Sequence, residues 1–176
     1  MIKIKSFIKE RTNKMLPRIL TQICRDPNSN NFGCCDRNYW HYKITDFPSI
    51  ILQQAIYSLS IFQEKITDKE LNNYISKIII AGGTFWEKRA IRYRSFEEYY
   101  PYENGYPPLA FSTLSISKLC YNNKIKTKDV SRGLLKAKKK LYRSFETNAF
   151  NQQIIGTTAL AYIEKLLPDD GNKLMQ

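Results

Sequence analysis

The spacing of apolar residues constrains this chain more than any other feature. Leu71, Tyr74, Ile75 and Ile78 recur at the interval of three to four residues that puts side chains on one face of a helix. The same interval links Leu52, Ala55, Ile56, Leu59 and Phe62, then Ala110, Leu114, Ser117 and Cys120. It returns in Val130, Leu134, Ala137 and Leu141, and again in Ile155, Ala159, Tyr162, Ile163 and Leu166. No segment alternates apolar and polar residues between hairpin turns, so no sheet is expected. Thr67 with Glu70 reads as a capping box, and Thr127 and Asn148 read as helix caps. Pro48 and Pro107-Pro108 suit first turns, Gly82-Gly83 should weaken a helix, and Pro168 should stop one. A first helix is expected around Pro17–Cys24, preceded by a charged helix from Ile2 to Met15 that is prone to fray. The expected fold is all-α, built of antiparallel helical hairpins, in a single domain over residues 1–168. Residues 1–16 are expected to fray, and 169–176 to form a disordered tail.

At 176 residues, with 43% hydrophobic and 25% charged side chains, the chain is long enough for one real core and is not disordered by composition. No apolar run approaches the roughly 18 residues a membrane-spanning helix needs, and the N-terminus lacks the pattern of a signal peptide. A cytoplasmic location is therefore the expectation. The net charge of +12 invites a polyanion, although a basic surface also serves solubility. Cys24, Cys34, Cys35 and Cys120 do not have the two close pairs of a zinc knuckle, so no metal or cofactor is expected and the thiols read as core filler.

Helices joined by short connections run up and down. The connections Asp26–Phe47, Tyr93–Pro107 and Glu146–Ala149 should then gather on one rim, opposite the short, Lys-rich Glu64–Asp68 and Asn122–Thr127. Long connections without secondary structure often carry function. The first holds Asp36, Arg37, Tyr39, Trp40, His41 and Lys43. Rings beside fixed polar groups suit a sugar, yet Trp40 and Phe47 also suit a plug for the helical core, and Asp36–Arg37 a local ion pair. His41 is the sole histidine, a candidate general base or a structural ring. The second connection carries Glu97, Glu98, Tyr99, Tyr100, Glu103 and Tyr106. Its acidic clusters resemble paired glycosidase carboxylates; the same residues also suit a loop locked by Pro and Tyr packing. Asn151 and Gln152 open the last helix towards this rim. The basic stretch Lys136–Arg143 reads either as a phosphate-binding face or as a solvated one.

Cys24-Arg25-Asp26-Pro27, Gly33-Cys34, Asp36-Arg37-Asn38-Tyr39-Trp40 and Asp46-Phe47-Pro48 together resemble the N-terminal helical region of heparinase II/III-like proteins. So do Ser95–Pro101, Tyr106–Phe111 and Asn151-Gln152, and the resemblance covers about Leu20–Pro168. It implies a partial α/α toroid whose face binds an acidic polysaccharide and, in the lyases, removes a proton beside a uronic carboxylate. His41 or Tyr100 would be the base and Asn151 the neutralising amide. Asp36, Arg37, Tyr39, Trp40, Lys43, Glu97, Glu98, Tyr99, Glu103, Tyr106 and Gln152 would bind substrate. Two departures matter. Gln152 stands where the family has histidine, and the chain has too few hairpins and no β-rich domain. The alternatives are a non-catalytic interaction module, which would form a homo-oligomer or seek a toroid or β-rich partner, and a nucleic-acid binder driven by charge. The last is disfavoured because no groove-reading motif is present.

Overall fold

The chain was analysed as a computed structural model, which describes residues 2–93, 95–144 and 146–168. Among these, seven α-helices carry the structure and no strand is present. They are α1 (Ile2–Gln22), α2 (Arg37–Trp40), α3 (Ala55–Gln63), α4 (Lys69–Lys88), α5 (Tyr106–Tyr121), α6 (Ser131–Arg143) and α7 (Phe150–Leu166). A 3-10 turn over Ile50–Gln54 leads into α3, another over Thr127–Asp129 precedes α6, and a π-helical turn over Arg89–Tyr93 extends α4. None of the described helices is long and apolar enough to cross a membrane. The tail expected to be disordered, Asp169–Gln176, lies outside the described residues.

Several boundaries differ from the sequence reading, each for a physical reason. α1 does not begin at Pro17 but runs through it from Ile2, sacrificing the one hydrogen bond that proline cannot donate. The cap of α4 is Asp68, not Thr67, because the Asp68 carboxylate accepts the Leu71 N–H at 2.8 Å. Thr127 lies in a 3-10 turn instead of capping α6. Asn148 does not cap α7 either. The Glu146 carboxylate takes the Asn148 and Ala149 N–H groups at 2.7 and 3.1 Å.

Gly82 and Gly83 do not interrupt α4, which passes straight through them. Each glycine costs the helix about 1 kcal/mol of propensity relative to alanine. The bare backbone instead lets other elements close in. A Cβ at Gly82 would stand 2.5 Å from the Ile56 side chain, and one at Gly83 2.5 Å from Ile125. Tertiary packing at these two points outweighs local preference.

α5 is the central helix. It packs on α3, α6, α7 and the 3-10 turn at Ile50–Gln54, and ten of its side chains from Pro108 to Cys120 are buried. Two of its buried hydroxyls are tied to carbonyls one turn back, Ser112 to Pro108 at 2.6 Å and Ser115 to Phe111 at 2.9 Å. Ser112 also accepts the indole N–H of the fully buried Trp86 at 2.9 Å.

The basic helix α6 is not a solvated face. Lys138 is 1% exposed and pairs with Glu164 of α7 at 2.9 Å. Lys136 donates to the Ile91 carbonyl at 3.1 Å, and Lys140 donates to the Asn104 side chain. Three of its lysines thus strap the helix to its neighbours, while Arg132, Lys139 and Arg143 are exposed. The four cysteines are free and buried.

Hydrogen bonds also link the connections to one another. The Ile50 N–H, in the 3-10 turn after the first connection, donates to the Glu97 carbonyl of the second at 2.8 Å, and the Tyr106 hydroxyl at its end donates to Gln153 of α7 at 3.0 Å. Elsewhere, Lys124 reaches Gln63 at 3.3 Å and Glu64 at 3.8 Å, joining the two short connections.

Candidate functional site

The connection after α1 is pinned before it can do anything else. The Cys24 N–H donates to the Cys34 carbonyl at 2.8 Å, and the Gly33 N–H donates to the Cys24 carbonyl at 2.9 Å. Gly33 has φ +86°, and a Cβ there would lie 2.3 Å from the Ala81 carbonyl carbon, so only glycine fits. The buried Gln53 amide completes the clamp, donating to the Gly33 and Gly82 carbonyls at 2.7 and 3.0 Å and accepting from Cys35 at 3.2 Å. Residues 25–32 therefore arch beside α4 from a fixed root.

Asp36 is buried and serves the backbone, with no ion pair to Arg37. Its carboxylate accepts from Asn38, Tyr39 and Ser49 at 3.0, 3.4 and 2.8 Å, starting α2 and closing the loop behind it. The half-buried Trp40 donates its indole N–H to the Gln22 carbonyl at 2.8 Å, fastening α2 to the end of α1. His41 is exposed, 5.1 Å from the Trp40 ring and 4.8 Å from that of Tyr42. Arg37 stacks over Tyr42, and the Lys43 ammonium lies 6.0 Å from the Tyr39 ring.

The acidic residues of the second connection are organisers of the loop. Glu97 forms a buried ion pair with Arg89 and also accepts the Tyr102 N–H at 3.2 Å. Glu103 accepts the N–H groups of Glu98, Tyr99 and Tyr100 at 3.1, 2.8 and 3.2 Å. Burial pushes the Glu103 carboxyl up, but those three donors outweigh it and hold it below its ordinary value. With the backbone drawn inward, Tyr99, Tyr100 and Tyr102 stand out at 73%, 70% and 77% exposure. Glu98 lies against Tyr99 and, through their hydrogen bond, raises its phenol. Tyr106 is half-buried, its phenol raised by burial and by Glu146. On α7, Asn151 is exposed and Gln152 half-buried, while the next residue, Gln153, makes the bond to Tyr106.

Two hollows adjoin the first connection. A recess of about 200 Å³ is lined by Asn30, Asn31, Tyr39, Phe85, Lys88, Arg89, Arg92 and Tyr93. Arg89 stacks 3.9 Å over the Tyr93 ring, and Arg92 lies 5.5 Å from it. Next to the recess, and sharing Asn30, Phe85 and Lys88 with it, lies a larger cleft of about 750 Å³ between residues 25–32 and the outer face of α4. Among the described residues, no Asp or Glu lines either hollow.

Of the residues expected to form a site, Tyr39 alone lines the recess. His41, Tyr100 and Asn151 sit on three separate segments, and none of them lines either hollow. Arg89, Arg92 and Tyr93 were not among the expected site residues, although the stretch from Lys88 to Arg94 is basic. The signal available was its aromatic residue set among arginines at the end of an amphipathic helix. Three of the thiols are poor nucleophiles: burial pushes Cys34 and Cys120 up to about 12 and Cys35 well above its ordinary value. No protein-family model, curated protein or solved structure matches the chain.

Proposed function

We propose that this chain is a binding domain for an acidic glycan, held in the recess between Tyr39 and Tyr93 and along the aromatic rim. The observation that carries the reading is the recess's composition. Two tyrosine rings offer faces for sugar rings, Asn30 and Asn31 offer amides for hydroxyls, and Lys88 and Arg92 offer positive charge for carboxylates. Arg89 is balanced by Glu97, so its part is to hold Tyr93 in place. The proposal includes the partial α/α toroid of antiparallel hairpins and the cytoplasmic location that the sequence suggests. It favours binding over β-elimination, because His41, Tyr100 and Asn151 stand outside the recess and Glu97 and Glu103 are engaged within their own loop.

The test is calorimetric titration at low salt with an oligouronate and an uncharged oligosaccharide of equal length. The acidic ligand should bind at least about tenfold more tightly, and Arg92→Ala or Tyr93→Ala should each weaken it by about tenfold. Trp40→Ala is the poorer probe, since it also releases α1. A flat titration with the oligouronate overturns the reading.

A second reading, a protein-interaction module, is favoured by one observation. Tyr99, Tyr100 and Tyr102 stand clear of the surface, and Phe150 on α7 is 79% exposed. Light scattering separates the two: a concentration-dependent dimer abolished by Tyr100→Ser supports an interface, and a monomer at all concentrations removes it. The nucleic-acid reading loses ground because three of the α6 lysines, Lys136, Lys138 and Lys140, are engaged by Ile91, Glu164 and Asn104.

A further inference from the structure

The large cleft beside α4 is separate from the sugar-like chemistry of the recess. Its floor is apolar: Ile78, Ala81 and Phe85 are buried beneath it, and Phe32 closes it from the loop side. Its edges are cationic. Arg25 stands on the loop, and Lys77 and Lys88 lie about three turns apart on α4, all three exposed. At about 750 Å³ it falls within the roughly 300–1,000 Å³ typical of small-molecule sites. It is also preformed, since the Gly33–Ala81 contact and the Gln53 amide fix the root of the loop that walls it.

We propose that this cleft binds a single-chain anionic amphiphile, with its hydrocarbon chain along Phe32, Ile78, Ala81 and Phe85 and its head group between the Arg25, Lys77 and Lys88 side chains. The apolar floor takes the chain without leaving a polar group unsatisfied. Cations on the rim, with no carboxylate among the described lining residues, select a negative head over a neutral one. A carboxylate and a phosphate monoester both meet that requirement. The inference does not require the glycan reading, because Phe32, Ile78, Ala81, Arg25 and Lys77 line the cleft alone, while Phe85 and Lys88 border both hollows.

The experiment is displacement of a dansylated fatty acid from the full chain, below the micelle concentration of every competitor. Palmitate, a lysophosphatidate and a neutral monoacylglycerol are compared. Either or both anions should displace the probe, and whichever does so identifies the head group as carboxylate or phosphate. The neutral lipid should compete at least about tenfold more weakly. Thr84 lines the cleft from an exposed position on α4, so Thr84→Trp should fill it and weaken probe binding by at least about tenfold. Arg25→Glu with Lys77→Glu, both at exposed sites, should do the same for the anions and leave the neutral lipid unchanged. These two changes also keep the test decisive if Thr84→Trp fails to fold. Arg92→Ala, which disables the recess, should leave probe binding intact. Equal competition by the neutral lipid, no probe binding to the wild-type chain, or wild-type affinity in a folded Thr84→Trp chain overturns the proposal.

Discussion

Arg89 and Glu97 form an ion pair inside the protein, with side chains only 8% and 4% exposed, and so join the π-helical end of α4 to the second aromatic-polar connection. Removing one partner leaves the other charge buried and uncompensated. Glu97→Gln or Arg89→Met should therefore destabilise the fold by about 3–5 kcal/mol. Replacing both with apolar residues should cost less than either single change. Urea unfolding of the four chains checks this, and additive losses would refute it.

Gly33→Ala should be among the most damaging single-methyl changes available. Its φ of +86° costs an L-residue about 1–2 kcal/mol, and the overlap with Ala81 adds to that. Chemical denaturation should show the loss. Hydrogen exchange should also show residues 24–34 opening before the rest of the core.

The strap between α6 and α7 sets an acid limit. Glu164 is held below its ordinary value of 4.5 mainly by hydrogen bonding from Lys138, with burial opposing and the Tyr142 hydroxyl assisting. A carboxylate with a lowered folded-state pKa stabilises the fold above its unfolded value and loses that contribution as pH falls through the lowered one. Thermal melts of wild type and Glu164→Gln should differ at neutral pH and converge as pH falls below the ordinary carboxylate range. A gap that persists at acid pH would show that the strap acts by shape alone.

Thiol reactivity offers a simple check on the core. Cys34 and Cys120, pushed up to about 12, and the still higher Cys35 should resist alkylation in the native state at pH 8 and react fully in guanidinium. Rapid native labelling would place these thiols outside the core.

What the sequence made visible was whatever depends on near neighbours. The period of Leu71, Tyr74, Ile75 and Ile78 yields α4, and the period of Ile155, Ala159 and Ile163 yields α7, because a helix repeats its buried face locally. Errors arose where a distant partner decides the outcome. Gly82 and Gly83 looked like breakers until Ile56 and Ile125 came to rest on them. Lys138 looked solvated, although Glu164, on the next helix, buries it. Glu97 and Glu103 suited either paired carboxylates or a packed loop, and Arg89 and three amide groups engage them within the fold. The recess was hidden for the same reason: Asn30, Tyr39 and Arg92 meet only after three segments fold together.

The dependence of α5 on α7 bears on the order in which the chain matures. α5 is complete by residue 121, but Ala159 and Ile163, both wholly buried, belong to a helix that starts only at residue 150. Until that helix leaves the ribosome, the central helix has an uncovered apolar side and Tyr106 has no Gln153 to hold. A nascent chain halted near residue 145 should therefore be a client for chaperones and open to proteases, and both exposures should end together once α7 has been made.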